Sequence, residues 1–263
     1  MDHTAFQTIR FEIEDSIAVI TLNDPEKRNA ISPEMVDELH RALDALEQND
    51  AVRALVIWGG NEKFFCAGGD IGAMLGMDVR DGYAISRRSH KLYNRIESLR
   101  MPTVALLGGF TFGGGFELSL ACDFRIANEK LKLGLTEVSL GLIPGGGGTC
   151  RLPRLIGAAK AKELMFLGKV IDAQEAERLD LVMKVVPVGT LYEAGMAFAR
   201  ELAQKAPLPL ELMKTLIGQN AGASHETACE MESRSFSTLF ASEDAKEGMR
   251  AFLEKRAPVY QGK

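Results

Sequence analysis

Nine residues, 109–117, constrain this chain more than any others; they read G-F-T-F-G-G-G-F-E. An apolar, strand-like run at 102–107 (P-T-V-A-L-L) precedes them, and Leu118, Leu120 and Ala121 follow with helix-like spacing. Three consecutive glycines at a strand-to-helix junction are costly, because glycine loses more backbone entropy on folding than any other residue. Bare backbone must be required there. Gly113, Gly114 and Gly115 would form the first turn of the helix. Peptide N–H groups in that turn have no intrahelical partner, and the positive end of the helix dipole points the same way. Without side chains in the way, an anionic or polarised oxygen can approach those N–H groups closely. Glu117, one turn in, would place a carboxylate beside them, which pairs an acid/base with an oxyanion hole. Taken alone, the same residues also fit a tight helix–strand contact with a surface glutamate.

Composition narrows the choice. A chain of 263 residues, 46% hydrophobic and 25% charged, suits one soluble globular domain or a domain with a small appendage. The net charge of −5 disfavours a dedicated nucleic-acid binder, which normally carries a basic excess. No apolar run approaches membrane-spanning length, and M-D-H-T-A-F-Q lacks the basic and apolar regions of a signal peptide. The expected location is cytoplasmic, with no membrane insertion. Cys66, Cys122, Cys150 and Cys229 form no CxxC pair and have no metal-ligand spacing. They read as reduced thiols, and no metal is expected. Cys66 lies in a glycine-rich segment but has no histidine close by, so a buried or neighbouring thiol is the better reading.

Along the chain, Ile9, Phe11 and Ile13 alternate with polar residues, and Ile17–Leu22 is a second strand, so the chain opens with a hairpin. After the loop 23–30 (N-D-P-E-K-R-N-A), Ser32 caps a helix with Pro33 at its first position. Met35, Val36, Leu39, Leu43 and Leu46 form its apolar stripe. Ala54–Trp58 is a continuous apolar strand, followed by a second glycine-bearing loop at 64–71 (F-F-C-A-G-G-D-I). Helix is expected over 81–100 and 157–167, strand over 123–127 and 181–186. Asp172 and Glu175 fit a capping box. Beyond 189 the strand signals stop, and four helices are expected, at 191–204, 208–219, 226–239 and 242–256, the last ending on Lys255 and Arg256 to match the dipole. The organisation is α/β over 1–188 with a helical subdomain over 189–263. The similarity of 54–71 to 102–117 hints at a repeated structural unit.

The glycines do not match the phosphate-binding signatures. Neither 113–115 nor 145–148 supplies glycines at relative positions 1, 3 and 6 for a dinucleotide site. There is no G-x-x-x-x-G-K-[ST] and no G-x-S-x-G elbow.

The motifs instead resemble those of the enoyl-CoA hydratase/isomerase (crotonase) superfamily. They are F-C-A-G-G-D-I (65–71), G-F-T-F-G-G-G-F-E-L (109–118) and T-E-V-S-L-G-L-I-P-G-G-G-G-T-C-R-L (136–152), with the 23–30 loop and E-G-M-R-A-F-L-E-K-R (247–256). The resemblance spans nearly the whole chain. It implies a crotonase-like spiral of repeated ββα units with a C-terminal helical trimerisation subdomain. It implies an acyl-CoA substrate, with coenzyme A part of that substrate and no other cofactor. The backbone N–H groups of Gly69 and Gly114 match the donors that hold the thioester oxygen, and Glu117 and Glu137 match the two glutamates with which hydratases add water across C2=C3. Ala67, Asp70 and Ile71 match the loop around the adenine; Lys27, Arg28 and Ala30 lie where the family approaches the pantetheine and phosphates. Phe252 and Lys255 match residues that reach the CoA of a neighbouring subunit in a trimer or hexamer. Lys27 and Arg28 read equally well as solvated loop charges, Phe252 as helix core and Lys255 as a dipole-balancing charge. Met74, Leu75 and Met77 are candidates for the acyl pocket. Cys150, where a glutamine is expected, and Gly69, where hydratases commonly carry alanine, depart from the pattern without removing a catalytic group. Retention of both glutamates favours a hydratase over an isomerase or other acyl-CoA lyase of the family. It also counts against a catalytically idle scaffold.

Overall fold

The computed structural model describes residues 6–263; residues 1–5 of the N-terminal reading above lie outside the described residues. Strands β1 (Ile9–Glu14) and β2 (Ile17–Leu22) form the expected antiparallel hairpin. Asp15 and Ser16 turn it with φ of 48° and 65°, a backbone twist that matches the twist of the strands. Helix α1 (Pro33–Glu47) follows; the Ser32 hydroxyl accepts from the Met35 amide at 3.1 Å, and Met35, Val36, Leu39, Leu43 and Leu46 are buried as their spacing requires.

A two-strand unit then repeats. β3 (Ala54–Trp58) and β4 (Phe64–Cys66) lead into α2 (Ile71–Met74) and α3 (Val79–Glu97). β5 (Thr103–Leu107) and β6 (Phe110–Phe112) lead into α4 (Gly113–Leu120). β7 (Phe124–Asn128) and β8 (Lys132–Gly134) lead into a 3-10 turn (Glu137–Leu140) and α5 (Gly148–Phe166). β9 (Ile171–Asp172), α6 (Ala173–Arg178) and β10 (Lys184–Val186) come next, then α7 (Leu191–Ala203), α8 (Pro207–Asn220), α9 (His225–Leu239) and α10 (Glu243–Glu254). In each repeat the first strand joins a six-stranded sheet, ordered β1-β2-β3-β5-β7-β10, and the second joins a four-stranded sheet, ordered β4-β6-β8-β9. This is the α/β spiral of ββα units that the motifs implied.

The larger sheet is covered on both faces, as the unbroken apolar runs of β3 and β5 require. Ala105 and Leu107 point into the main core with α1 and α3, and Val104 and Leu106 point to the other face, against α7. The backbone of α7 comes so close there that a Cβ on Gly195 would strike Leu106. The Glu62 carboxylate accepts from the amides of Gly189 (2.7 Å) and Leu191 (3.1 Å) and so fixes the start of α7. The other three C-terminal helices differ from α7. α8 and α9 contain no fully buried residue, and α8 is tied to the core by Lys214, whose ammonium meets Asp123 at 2.8 Å. Met213, Ile217, Phe236, Met249, Phe252 and Leu253 stand exposed on α8–α10.

The structure departs from expectation in short elements. β4, β6 and β8 are three residues each, too short to show a period of two, and β4 and β6 lie within the two glycine-bearing segments at 64–71 and 109–117. α3 begins at Val79, because Asp78 and Asp81 form a capping box. α5 begins at Gly148; its helical dihedrals break at Gly157 (φ 77°, ψ 154°), which hid the first half of the helix. Lys255 is not in the last turn of α10 but is its left-handed C-cap (φ 55°), while Arg256 pairs with Glu247 and Glu254. Among the described residues no helix is long and apolar enough to cross a membrane.

Candidate active site

β4, β6 and β8 lie side by side and run parallel, so their C-terminal ends open onto one place. Ala67, Gly68 and Gly69 follow β4, Gly113–Gly115 follow β6, and Glu137 follows β8 by three residues. The fold therefore gathers three of the singled-out segments at the edge of one small parallel sheet. Between them and α3 is a cavity of about 560 Å³, lined among others by Ala67, Gly69, Ile71, Met74, Gly114, Glu117 and Glu137.

Each glycine of 113–115 has its own reason. Gly113 has φ +47°, a left-handed conformation, and a Cβ there would lie 3.2 Å from the Glu137 carboxylate. Gly115 packs on β4, where a Cβ would come within 2.5 Å of Cys66 Cβ. Gly114 is different: a Cβ would meet only ordinary contacts, 3.5 Å from Ile31 and 3.7 Å from the amide nitrogen of Gly69. The space in front of Gly114 is thus the space in front of Gly69. Gly114 is the second residue of α4, so its N–H has no acceptor within the helix. The strand bridge between Ile31 and Gly69 uses the carbonyl of Gly68 and the amide of Asp70, leaving the Gly69 N–H out of that pairing. Gly69 and Gly114 therefore both line the cavity with peptide N–H groups that neither the bridge nor the helix uses.

Glu117, 3% exposed, lies on α4 with its carboxylate at the N-terminus of α5. Oε1 accepts from the amides of Gly146 (2.8 Å) and Gly148 (2.7 Å). Burial raises its pKa; the amides of Gly148 and Gly146 and the charge of Arg151 oppose that rise without cancelling it. Glu137 opens the 3-10 turn, and its Oε2 is buried without a hydrogen-bond partner. Burial, with the Glu117 charge adding to it, pushes its carboxyl up to about 7. Two carboxyl groups in different environments therefore line one cavity.

The 145–148 glycines serve Glu117. A Cβ on Gly146 would lie 2.7 Å from Glu117 Oε2 and 2.6 Å from the ring of Tyr93, so only glycine brings its amide to the carboxylate. Arg151 holds this loop by donating to the Gly146 carbonyl (3.2 Å) while Glu97 and Asn94 hold Arg151 (2.7 and 2.6 Å).

The remaining expected residues are distributed less closely. Lys27 donates to Asp70 at 2.8 Å, which raises the lysine pKa and lowers that of the carboxyl; Asp70 also caps α2 through the Ala73 amide. Ala30 is buried, and the Arg28 carbonyl accepts from the Ala67 amide, so the 23–30 loop is stitched to the oxyanion loop. Phe252, 82% exposed, and Lys255 belong to α10, away from the cavity lining of their own chain. Leu75 is exposed, and of the three acyl-pocket candidates only Met74 lines the cavity. Cys66 is fully buried, with its thiol pushed up to about 12, and does not line the cavity. Sequence reasoning passed over Tyr93, Ser86 and His90, which α3 presents to the cavity. The stripe through Ile85, Leu92 and Ile96 marked the inward face on which they lie.

A family model described as enoyl-CoA hydratase/isomerase matches residues 12–263 of the chain. A crotonyl-CoA hydratase of Syntrophomonas wolfei is 38% identical over 252 residues, covering 96% of this chain and 97% of the relative. A short-chain-enoyl-CoA hydratase of Clostridium acetobutylicum is 38% identical, covering 93% and 94%. The crystal structure of an enoyl-CoA hydratase from Bacillus anthracis superimposes with a TM-score of 0.94 at 38% identity, covering 98% of this chain and all of the other.

Proposed function

This chain belongs to the enoyl-CoA hydratase/isomerase family, and from that premise we propose that it adds water across the C2=C3 bond of a 2-enoyl-CoA thioester. The observation that carries the reading is the juxtaposition of two free peptide donors, Gly69 and Gly114, with two unequal carboxyl groups, Glu117 and Glu137. Glu117, fixed by two amides at a helix N-terminus, is the carboxylate that takes a proton from water. The hydroxide forms a bond to C3, and the electron pair of the double bond moves toward the thioester oxygen. The two N–H groups hold the enolate; one such donor is worth about 2.7–4 kcal/mol. Glu137, which stays protonated up to about pH 7, gives its proton to C2. The product is a 3-hydroxyacyl-CoA, and proton exchange with solvent restores the two carboxyl groups. The reading needs no cofactor beyond the coenzyme A carried by the substrate.

The sign of the pH dependence follows. kcat/KM rises as Glu117 ionises, above the ordinary carboxylate range, and falls again as Glu137 loses its proton near pH 7. A profile of crotonyl-CoA hydration that stays flat from about pH 6 to about pH 9 would contradict this division of roles.

The exposed apolar side chains of α8–α10 support a trimer-based assembly in which Phe252 and Lys255 reach the CoA of the next subunit. Light scattering is expected to give a trimer or hexamer. Lys255→Ala is expected to raise KM more than it lowers kcat, since a contact far from C3 is made about equally in ground and transition states. An active monomer would sink the assembly, and an unchanged KM would leave Lys255 as a helix cap only.

A further inference from the structure

We propose that Tyr93 is the positioning residue that sets the oxyanion-binding amide of Gly114 against the carboxylate of Glu117, an inference that rests on the hydratase reading. Tyr93 lies on α3, is 1% exposed and lines the cavity. Its hydroxyl donates to the Gly114 carbonyl at 3.0 Å. Its ring edge lies beside Gly146, where a Cβ would be 2.6 Å from Tyr93 Cε2 and 2.7 Å from Glu117 Oε2. One stiff side chain therefore touches the oxyanion residue with its hydroxyl and the loop that holds Glu117 with its ring. The rest of α3 grips the same loop: Ser86 donates to the Gly145 carbonyl at 2.6 Å, and Asn94 and Glu97 hold Arg151 against Gly146.

Packing alone does not require the hydroxyl. Phenylalanine would fill the same volume, and the Gly114 carbonyl belongs to the ladder of α4. The phenol adds a second donor to that carbonyl. Burial and the Glu117 charge hold the phenol well above its usual range, so it stays protonated and remains a donor. The bond holds the 114–115 peptide and, through the first turn of α4, steadies the adjoining peptide that carries the Gly114 N–H.

The test uses 4-dimethylaminocinnamoyl-CoA, a push–pull enoyl thioester whose absorption moves to the red as its carbonyl is polarised. Tyr93→Phe is expected to bind this probe within about twofold of wild type, show a smaller red shift, and hydrate crotonyl-CoA with kcat about tenfold lower at similar KM. That is the size of one hydrogen bond's net contribution. A folded Tyr93→Phe protein with the wild-type red shift and kcat overturns the proposal. Should Tyr93→Phe fail to fold, 3-fluorotyrosine placed at position 93 keeps the size and makes the hydroxyl a stronger donor. The expected result is then an altered red shift at unchanged affinity, and an unaltered shift overturns the proposal. A wild-type protein that neither hydrates crotonyl-CoA nor shifts the probe overturns the hydratase reading itself, before any variant is compared.

Discussion

Glu137→Gln is expected to lower kcat for crotonyl-CoA hydration by about 10²–10⁴-fold while leaving the fold intact, and Glu117→Gln to do the same, the range for a general acid or base. In the proposed mechanism the two carboxyl groups have separate tasks, so neither substitutes for the other. Glu137→Gln carries a second signature. In the folded protein the Glu137 carboxyl titrates at about 7, above its ordinary 4.5, because burial disfavours the charged form. The folded state then binds more protons than the unfolded state between those values. The cost to stability is absent below the unfolded pKa, grows as pH rises and is full above about 7. Glutamine removes that cost, so the variant should melt at a higher temperature than wild type at pH 8 and at the same temperature near pH 4. Solvent at the half-buried side chain discounts the gain to about 1 kcal/mol, a few degrees for a chain of this length. An inactive, more stable variant is the combination expected of a group strained for function. Near wild-type hydration by Glu137→Gln would show that the two-glutamate mechanism is wrong here.

Gly114→Pro is expected to abolish measurable turnover. Gly114 sits in the first turn of α4, where a proline needs no intrahelical N–H. Helical φ at Gly114 suits the ring, and an added Cβ meets nothing closer than 3.5 Å. The substitution therefore deletes one donor and puts the pyrrolidine ring in its place. Losing one oxyanion donor costs about 10²–10³ in rate, and the proline ring also intrudes on the volume shared with Gly69. Circular dichroism must accompany the assay. A folded Gly114→Pro protein with full activity would move the oxyanion hole elsewhere.

Much of this site was legible in the sequence, for identifiable reasons. Gly113–Gly115 stood out because three bare residues at a strand–helix junction need a cause, and the structure supplies three: a left-handed φ, an open face and a contact with Cys66. Ser32 and Asp172 marked their helices because a cap is a local device, and they accept from the Met35 and Glu175 amides, although the Glu175 carboxylate pairs with Arg178 and does not complete a capping box. What failed has identifiable reasons too. β4, β6 and β8 have three residues apiece and owe their pairing to neighbours far along the chain. The start of α5 was masked by Gly157, and Lys255 was placed in a final turn that in fact ends one residue earlier. Tyr93 carried no signal of its own, because a tyrosine on an apolar stripe is indistinguishable from core until its hydroxyl is seen on Gly114. The unequal carboxyl groups were equally hidden: amides from a loop 29 to 31 residues away reach Glu117 and not Glu137.

The most direct measurement is the absorbance of crotonyl-CoA mixed with the purified protein, with the product identified by mass. The expected result is saturable loss of the enoyl-thioester band and a product heavier by one water, lost together in Glu117→Gln and Glu137→Gln. A folded, assembled protein that binds crotonyl-CoA and longer 2-enoyl-CoA thioesters but leaves that band unchanged would contradict the hydratase assignment.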